Sequence, residues 1–231
     1  MSLYVKYLDF LSQTFTDPTA YNLVKSLNET IYMVAVSAFF AVIFGLPLGV
    51  LLRNTRSDGI SPNPKLNKIL GAVVNVTRSF PFLILIILLL PLSAAITGEY
   101  IGSTTAIIPL IIAAVPFIAR LFEGAMLEVD SGLIEASLAL GANKKEITLM
   151  TLAECLPALI NAVTITSISL VGYSAMAGVV GGGGLGDLAI RIGYQSYEPL
   201  VLAYSVGIII MLVQAIQLSG DAISNKIRNQ R

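Results

Sequence analysis

The side chains that most often carry chemistry are scarce in this chain. It has no histidine and a single cysteine, Cys155. That leaves no imidazole base, no histidine or multi-cysteine metal site and no intrachain disulfide. Cys155 reads as a lone small buried thiol. The run Gly181-Gly182-Gly183-Gly184-Leu185-Gly186 formally satisfies the G-x-G-x-x-G pattern of dinucleotide sites. Such a site needs a strand before the glycines and a helix after them. Here a long apolar run precedes them, and Asp187 follows where a phosphate loop would place its lysine. The glycines read instead as a re-entrant or outer loop, or as a point where two helices approach closely.

Two other groups of residues remain. Tyr173 and Met176 stand three apart, on one face of a helix, among Gly172, Ser174, Ala175, Ala177 and Gly178. Two bulky side chains among small ones can close a path, since a thioether adapts to changing contacts and a phenol has a polar tip. Ordinary packing against another helix is the alternative. The second group is Glu135, Ala136 and Ser137, followed by Gly141. They lie in a stretch of strong helix formers from Gly132 to Leu140, which Gly141-Ala142-Asn143 should end with a turn. A short helix, a turn and a second short helix would form a compact knob. An interfacial linker is the plainer reading.

The elements that position these residues follow from composition. The chain has 231 residues, 55% hydrophobic and 12% charged, where soluble domains carry about 25% charged residues. Its mean hydropathy is +0.82. This is a membrane protein. Fourteen basic and fourteen acidic residues cancel, so no basic field points to nucleic acid. Five charge-free runs of spanning length stand out: Thr30–Leu52, Phe80–Gly98, Tyr100–Ala119, Cys155–Gly186 and Pro199–Gly220. The expected fold is all-α, with about five transmembrane helices near 30–52, 70–97, 100–124, 157–180 and 199–221. A cytoplasmic loop near 129–154 separates spans three and four, and 1–231 form a single transmembrane domain. Residues 1–29 read as a partly amphipathic lead-in at the interface, with Leu3, Tyr4, Tyr7, Leu8, Phe10 and Leu11.

Positive charge sets the orientation. Eleven basic residues fall on one side: Arg53, Arg56, Lys65, Lys68, Arg78, Arg120, Lys144, Lys145, Lys226, Arg228 and Arg231. Three fall on the other: Lys6, Lys25 and Arg191. The N-terminus is expected outside and the C-terminus in the cytoplasm. Arg78 is either an anchor that snorkels to the headgroups or a charge carried into a wet cavity. Gly45–Gly49 and Gly178–Gly182 fit the spacing for close helix approach, within the subunit or at a dimer seam. Pro47, Pro81, Pro91, Pro109 and Pro116 should kink or end helices.

The knob sequence resembles the EAA loop of ATP-binding-cassette importer permeases, with Glu135-Ala136-Ser137 and then Gly141 six residues after the Glu. Ser137 stands for the second Ala, and Leu156-Pro157 comes three residues later than the usual Leu-Pro. More blocks are similar to the permease subunits of methionine importers. They are Arg78–Phe82, Pro116–Arg120, Gly132–Ser137, Leu170–Met176, Gly181–Gly186 and Gly220-Asp221. The resemblance implies a homodimer with two ATPase subunits, an extracytoplasmic binding (lipo)protein and methionine as substrate. It implies that ATP and magnesium sit on the partner subunits and that this chain binds no cofactor and is not an enzyme. Glu135, Ala136, Ser137 and Gly141 would couple to the ATPase, while Tyr173, Ser174 and Met176 would line the gate. Permeases for D-methionine, methionine sulfoxide or another small amino acid are the near alternatives. An ion-coupled secondary transporter is the rival from another class. It would place acidic residues or histidine in the spans and show inverted repeats, and the five runs hold neither. A channel lacks a filter-like sequence here.

Overall fold

The computed structural model describes residues 18–229. The lead-in expected at Leu3, Tyr4, Tyr7, Leu8, Phe10 and Leu11 lies outside the described residues, as do Lys6 and Arg231. Every regular element described is helical. In order they are α1 (Pro18–Thr55), α2 (Pro64–Ser79), α3 (Phe82–Thr97), α4 (Ser103–Leu127), α5 (Ser131–Ala139), α6 (Lys144–Glu154), α7 (Leu156–Val179) and α8 (Gly184–Asp187). A π-helical segment, Leu188–Gln195, continues α8, and α9 (Pro199–Arg228) ends the order. Among the described residues four helices are long and apolar enough to cross a membrane, or five if the sharply bent pair α2–α3 counts as one span. The all-α multi-span fold expected from composition is the fold found.

Helix ends depart from charge boundaries. α1 starts well before Thr30 and carries Lys25 and Glu29 as an i,i+4 pair, Nζ to Oε1 3.9 Å. Pro18 holds its first position, where the missing N–H costs nothing. α4 runs past the charge-free stretch to Leu127, taking Arg120 and Glu123 with it. The expected second span is two helices. Asn63 caps α2 by accepting from the Leu66 N–H at 3.1 Å, and Phe80, extended at φ −71° and ψ 128°, ends it before Pro81. Pro47 and Pro91 stay inside α1 and α3.

The chain forms two compact units. Among the described residues, one gathers those up to Ser37, Phe82–Leu110 and Ser169–Ala215; the other gathers Ala38–Pro81, Ile111–Ile168 and those from Ile216 onward. In the second unit Leu52, Val74 and Ala119 form a buried cluster with Leu48 and Leu70 around it. Gly45 and Gly49 let α1 approach α4 there, because a Cβ on either would meet Ile118, Ala119 or Phe122. This is packing within the subunit. In the first unit Tyr173 stacks on Phe82, with ring centroids 4.7 Å apart and planes 14° apart.

Candidate functional site

The knob residues lie in the second unit, on α5 and the turn to α6. Asp130 caps α5 by accepting from the Gly132 N–H at 2.7 Å. The helix ends in a Schellman turn. Gly141, at φ +83°, donates to the Leu138 carbonyl at 3.0 Å, and Ala142 donates to the Ser137 carbonyl at 3.0 Å. Asn143 then opens α6 with a capping box. Its Oδ1 accepts from the Glu146 N–H at 3.1 Å, while Glu146 Oε2 accepts from the Asn143 N–H at 2.7 Å. The helix–turn–helix predicted from Gly132–Asn143 is therefore present; the capping box, legible as Asn143 and Glu146, adds the reason α6 starts where it does.

α6 is anchored and α5 is not. Ile147 and Thr151 of α6 are buried, and Asn54 donates through Nδ2 to Thr148 Oγ1 at 3.2 Å. No residue of α5 is buried. Glu135 and Ala136 are exposed, and Leu140 is 89% exposed. A cavity of about 410 Å³ opens beside α5, lined by Ile134, Glu135 and Leu138, by Arg53 at the end of α1 and by Asp58 and Ile60 of the α1–α2 loop. Arg56 Nε donates to Asp58 Oδ1 at 2.9 Å and holds that carboxyl below the usual carboxylate range.

An ionic cluster around a buried carboxylate supports this unit. Glu123 is 4% exposed. Arg120 Nη1 donates to Glu123 Oε2 at 2.6 Å, and its Nη2 donates to Asn75 Oδ1 at 3.1 Å and to the Gly71 carbonyl at 3.3 Å. Arg56 Nη1 lies 3.9 Å from Glu123 Oε1. The cluster ties α4 to α2 and to the α1–α2 loop. Attention to charge-free runs missed it, because both residues follow Ala119; their i,i+3 spacing was the available signal. Arg78 ends α2 exposed, with its guanidinium 5.8 Å from the centre of the Phe117 ring, a cation–π contact to α4. Cys155 is buried at the junction of α6 and α7.

Tyr173, Ser174 and Met176 lie near the end of α7, in the first unit. Ser174 is buried and donates to the Val171 carbonyl at 2.8 Å. Met176 is 47% exposed. The buried side of this helix end rests on the glycine run. A Cβ on Gly178 would meet the backbone of Gly186 and Asp187, and one on Gly186 would meet the backbone of Ala175. Gly181 and Gly183 both take positive φ, and Gly181 accepts from the Gly102 N–H at 3.0 Å. The run is a packed turn with helix on both sides, and among the described residues no strand precedes it to frame a dinucleotide site.

Apolar helices of spanning length, joined by a capped exposed knob and a packed glycine turn, define a multi-pass membrane protein. Residues 45–223 match the model of the binding-protein-dependent transport system inner membrane component family, and the chain belongs to that family. It is thus a transport component of the inner membrane and not an enzyme. The chain is 49% identical over 200 residues, 86% of its own length and 89% of the relative's, to the probable D-methionine transport system permease protein MetI of Vibrio cholerae. It is also 49% identical over 164 residues to the D-methionine transport system permease protein MetI of Escherichia coli, 71% of this chain and 76% of that one. A solved structure showing inward-facing conformations of the MetNI methionine ABC transporter superposes with a TM-score of 0.90 at 45% identity, covering 92% of this chain and 99% of that one.

Proposed function

We propose that this chain is the permease of an ATP-driven importer for methionine or a closely related amino acid. It forms the translocation path as a homodimer, each copy a single transmembrane domain. Two ATP-binding-cassette subunits bind the cytoplasmic face and carry ATP and magnesium, and an extracytoplasmic binding lipoprotein delivers substrate. The observation that carries this reading is the 49% identity to the Vibrio cholerae permease over 86% of the chain. The N-terminus lies outside and the C-terminus in the cytoplasm, a reading supported by the eleven-to-three division of basic residues.

Glu135, Ala136, Ser137 and Gly141 dock on the ATPase. Exposed Leu133, Leu138 and Leu140 beside the Glu135 carboxylate support this, because apolar side chains on a short polar knob are ready to be covered by a partner. Tyr173, Ser174 and Met176 belong to the gate. A half-exposed thioether beside a stacked phenol supports that role, with Ser174 packed behind them.

The test is uptake into proteoliposomes containing this permease, its ATPase and its binding protein. Labelled L-methionine should enter with internal ATP and not without it. Uptake of none of L-methionine, D-methionine and methionine sulfoxide, with another amino acid found on the purified binding protein, would overturn the substrate. Met176→Ala and Tyr173→Ala should leak methionine without ATP. Impermeant thiol reagents on intact cells should label a cysteine placed at Ser2 and not one at Asn229; the reverse pattern sinks the orientation.

A further inference from the structure

The glycine turn after α7 is held by two side chains 155 residues away in sequence. Glu29 Oε2 accepts from the Gly184 N–H at 2.8 Å, and Thr30 Oγ1 accepts from the Leu185 N–H at 2.9 Å. These donors open α8, where no earlier turn of helix satisfies them. The residue before α8 is Gly183, which has no side chain to cap it. α1 supplies the cap instead. Both α1 groups are tightly committed. The Glu29 side chain is 16% exposed, and Thr30 is buried with its own hydroxyl donating to the Ser26 carbonyl at 3.0 Å.

The glycines make the reach possible. Gly183 and Gly184 have φ of +73° and +80°, and a Cβ on them would come 2.8 Å from Glu29 Oε2 and from Thr30 Oγ1, respectively. On the other side of the turn the contact is backbone on backbone. Gly178 faces Gly186 and Asp187, and Ala175 faces Gly186. Such contacts have no rotamer to yield, so a shift of the turn moves the end of α7. Ala175 and Gly178 occupy the helix turn that carries Met176, and Tyr173 lies one turn earlier. A continuous path of contacts therefore runs from Glu29 and Thr30, through Gly184–Gly186, to the two gate side chains.

We propose that Glu29 and Thr30 are positioning residues that clasp the glycine turn and so hold Tyr173 and Met176 in the closed setting of the path. The proposal rests on the gate reading of those two residues. Its test is ATP-independent flux of labelled L-methionine, together with the stimulation of ATP hydrolysis by the binding protein, in the reconstituted full complex. Glu29→Ala and Thr30→Val each remove an acceptor and should raise the leak about tenfold, the factor that 1.4 kcal/mol represents. Glu29→Gln and Thr30→Ser keep an acceptor oxygen and should stay near wild type. If Glu29→Ala does not assemble, Thr30→Val decides, since it trades a hydroxyl for a methyl at similar volume. Wild-type flux in Glu29→Ala and Thr30→Val, while Met176→Ala leaks, overturns the clasp and leaves the gate standing. A tight path in Met176→Ala and Tyr173→Ala overturns both. A leak in Glu29→Gln equal to that of Glu29→Ala also overturns the clasp, because the accepted hydrogen bond would then not be what matters.

Discussion

The α5–α6 segment and the end of α7 with its glycine turn are both helix–turn–helix pieces, yet they are kept in shape in opposite ways. α5 buries nothing and is held by its own ends: the Asp130 cap, the Schellman turn at Gly141 and the Asn143–Glu146 box. The end of α7 is held by what lies around it, through backbone contacts at Ala175 and Gly178 and through hydrogen bonds that the turn's N–H groups donate to Glu29 and Thr30. A segment stabilised locally keeps its outer surface free for a partner. A segment stabilised by distant contacts reports their movement. That difference is what the proposed coupling role of α5 and the proposed gate role of α7 would respectively require.

The largest effect expected from breaking this comparison is at Gly178. A side chain there must displace the Asp187 backbone, which has nowhere soft to go. Gly178→Val should cost about 3 kcal/mol or more, at the upper end of overpacking penalties. The thermal midpoint of the purified complex reads it, and a midpoint equal to wild type would show that the turn yields. Gly141 is the contrasting glycine. Nothing lies within 4 Å of a Cβ there, so only its positive φ resists substitution. Gly141→Val should cost about 1–2 kcal/mol, and Gly141→Asn a fraction of that, because Asn tolerates the left-handed region. Both midpoints should stay above that of Gly178→Val, while Gly141→Val alone should depress binding-protein-stimulated ATP hydrolysis. Normal stimulation in Gly141→Val would remove the turn from coupling.

The two regions were not equally legible in the sequence. The α5–α6 turn is written locally: helix formers, then Gly141 and Asn143 within a dozen residues, each with its own conformational reason. The clasp is not local. Glu29 and Thr30 sit where a charged residue gives way to an apolar run, which reads as a span boundary and nothing more. Their partners are glycine-run backbone groups, which no side-chain pattern advertises. The same limit hid the Arg120–Glu123 cluster and the early start of α1. Charge-free runs mark what hydrocarbon tolerates, whereas a helix continues as long as its hydrogen bonds and caps allow. The spanning helices were legible because exclusion of charge from lipid is strong and continuous along the chain. Breaks such as Phe80-Pro81 were visible only as a proline within an apolar stretch.

The smallest stability effect, and the sharpest test of the comparison, belongs to Glu135. Its side chain is exposed on a helix with no buried residue, beside a cavity of about 410 Å³. Glu135→Lys should change stability by no more than about 0.5 kcal/mol, as most surface substitutions do. If the knob served only as a linker, transport would be equally indifferent. If it docks on an ATPase, reversing this charge opposes any basic group that meets it, and like charges forced together resist association. The expected outcome is an unshifted thermal midpoint for the permease, intact substrate capture by the binding protein, and a large loss of stimulated ATP hydrolysis and uptake. Salt should soften the loss, because screening weakens exposed charge contacts over roughly 8–10 Å at physiological strength. Full stimulated hydrolysis in Glu135→Lys would take this residue out of the coupling interface, and the exposed face of α5 would then need another explanation than docking through its carboxylate.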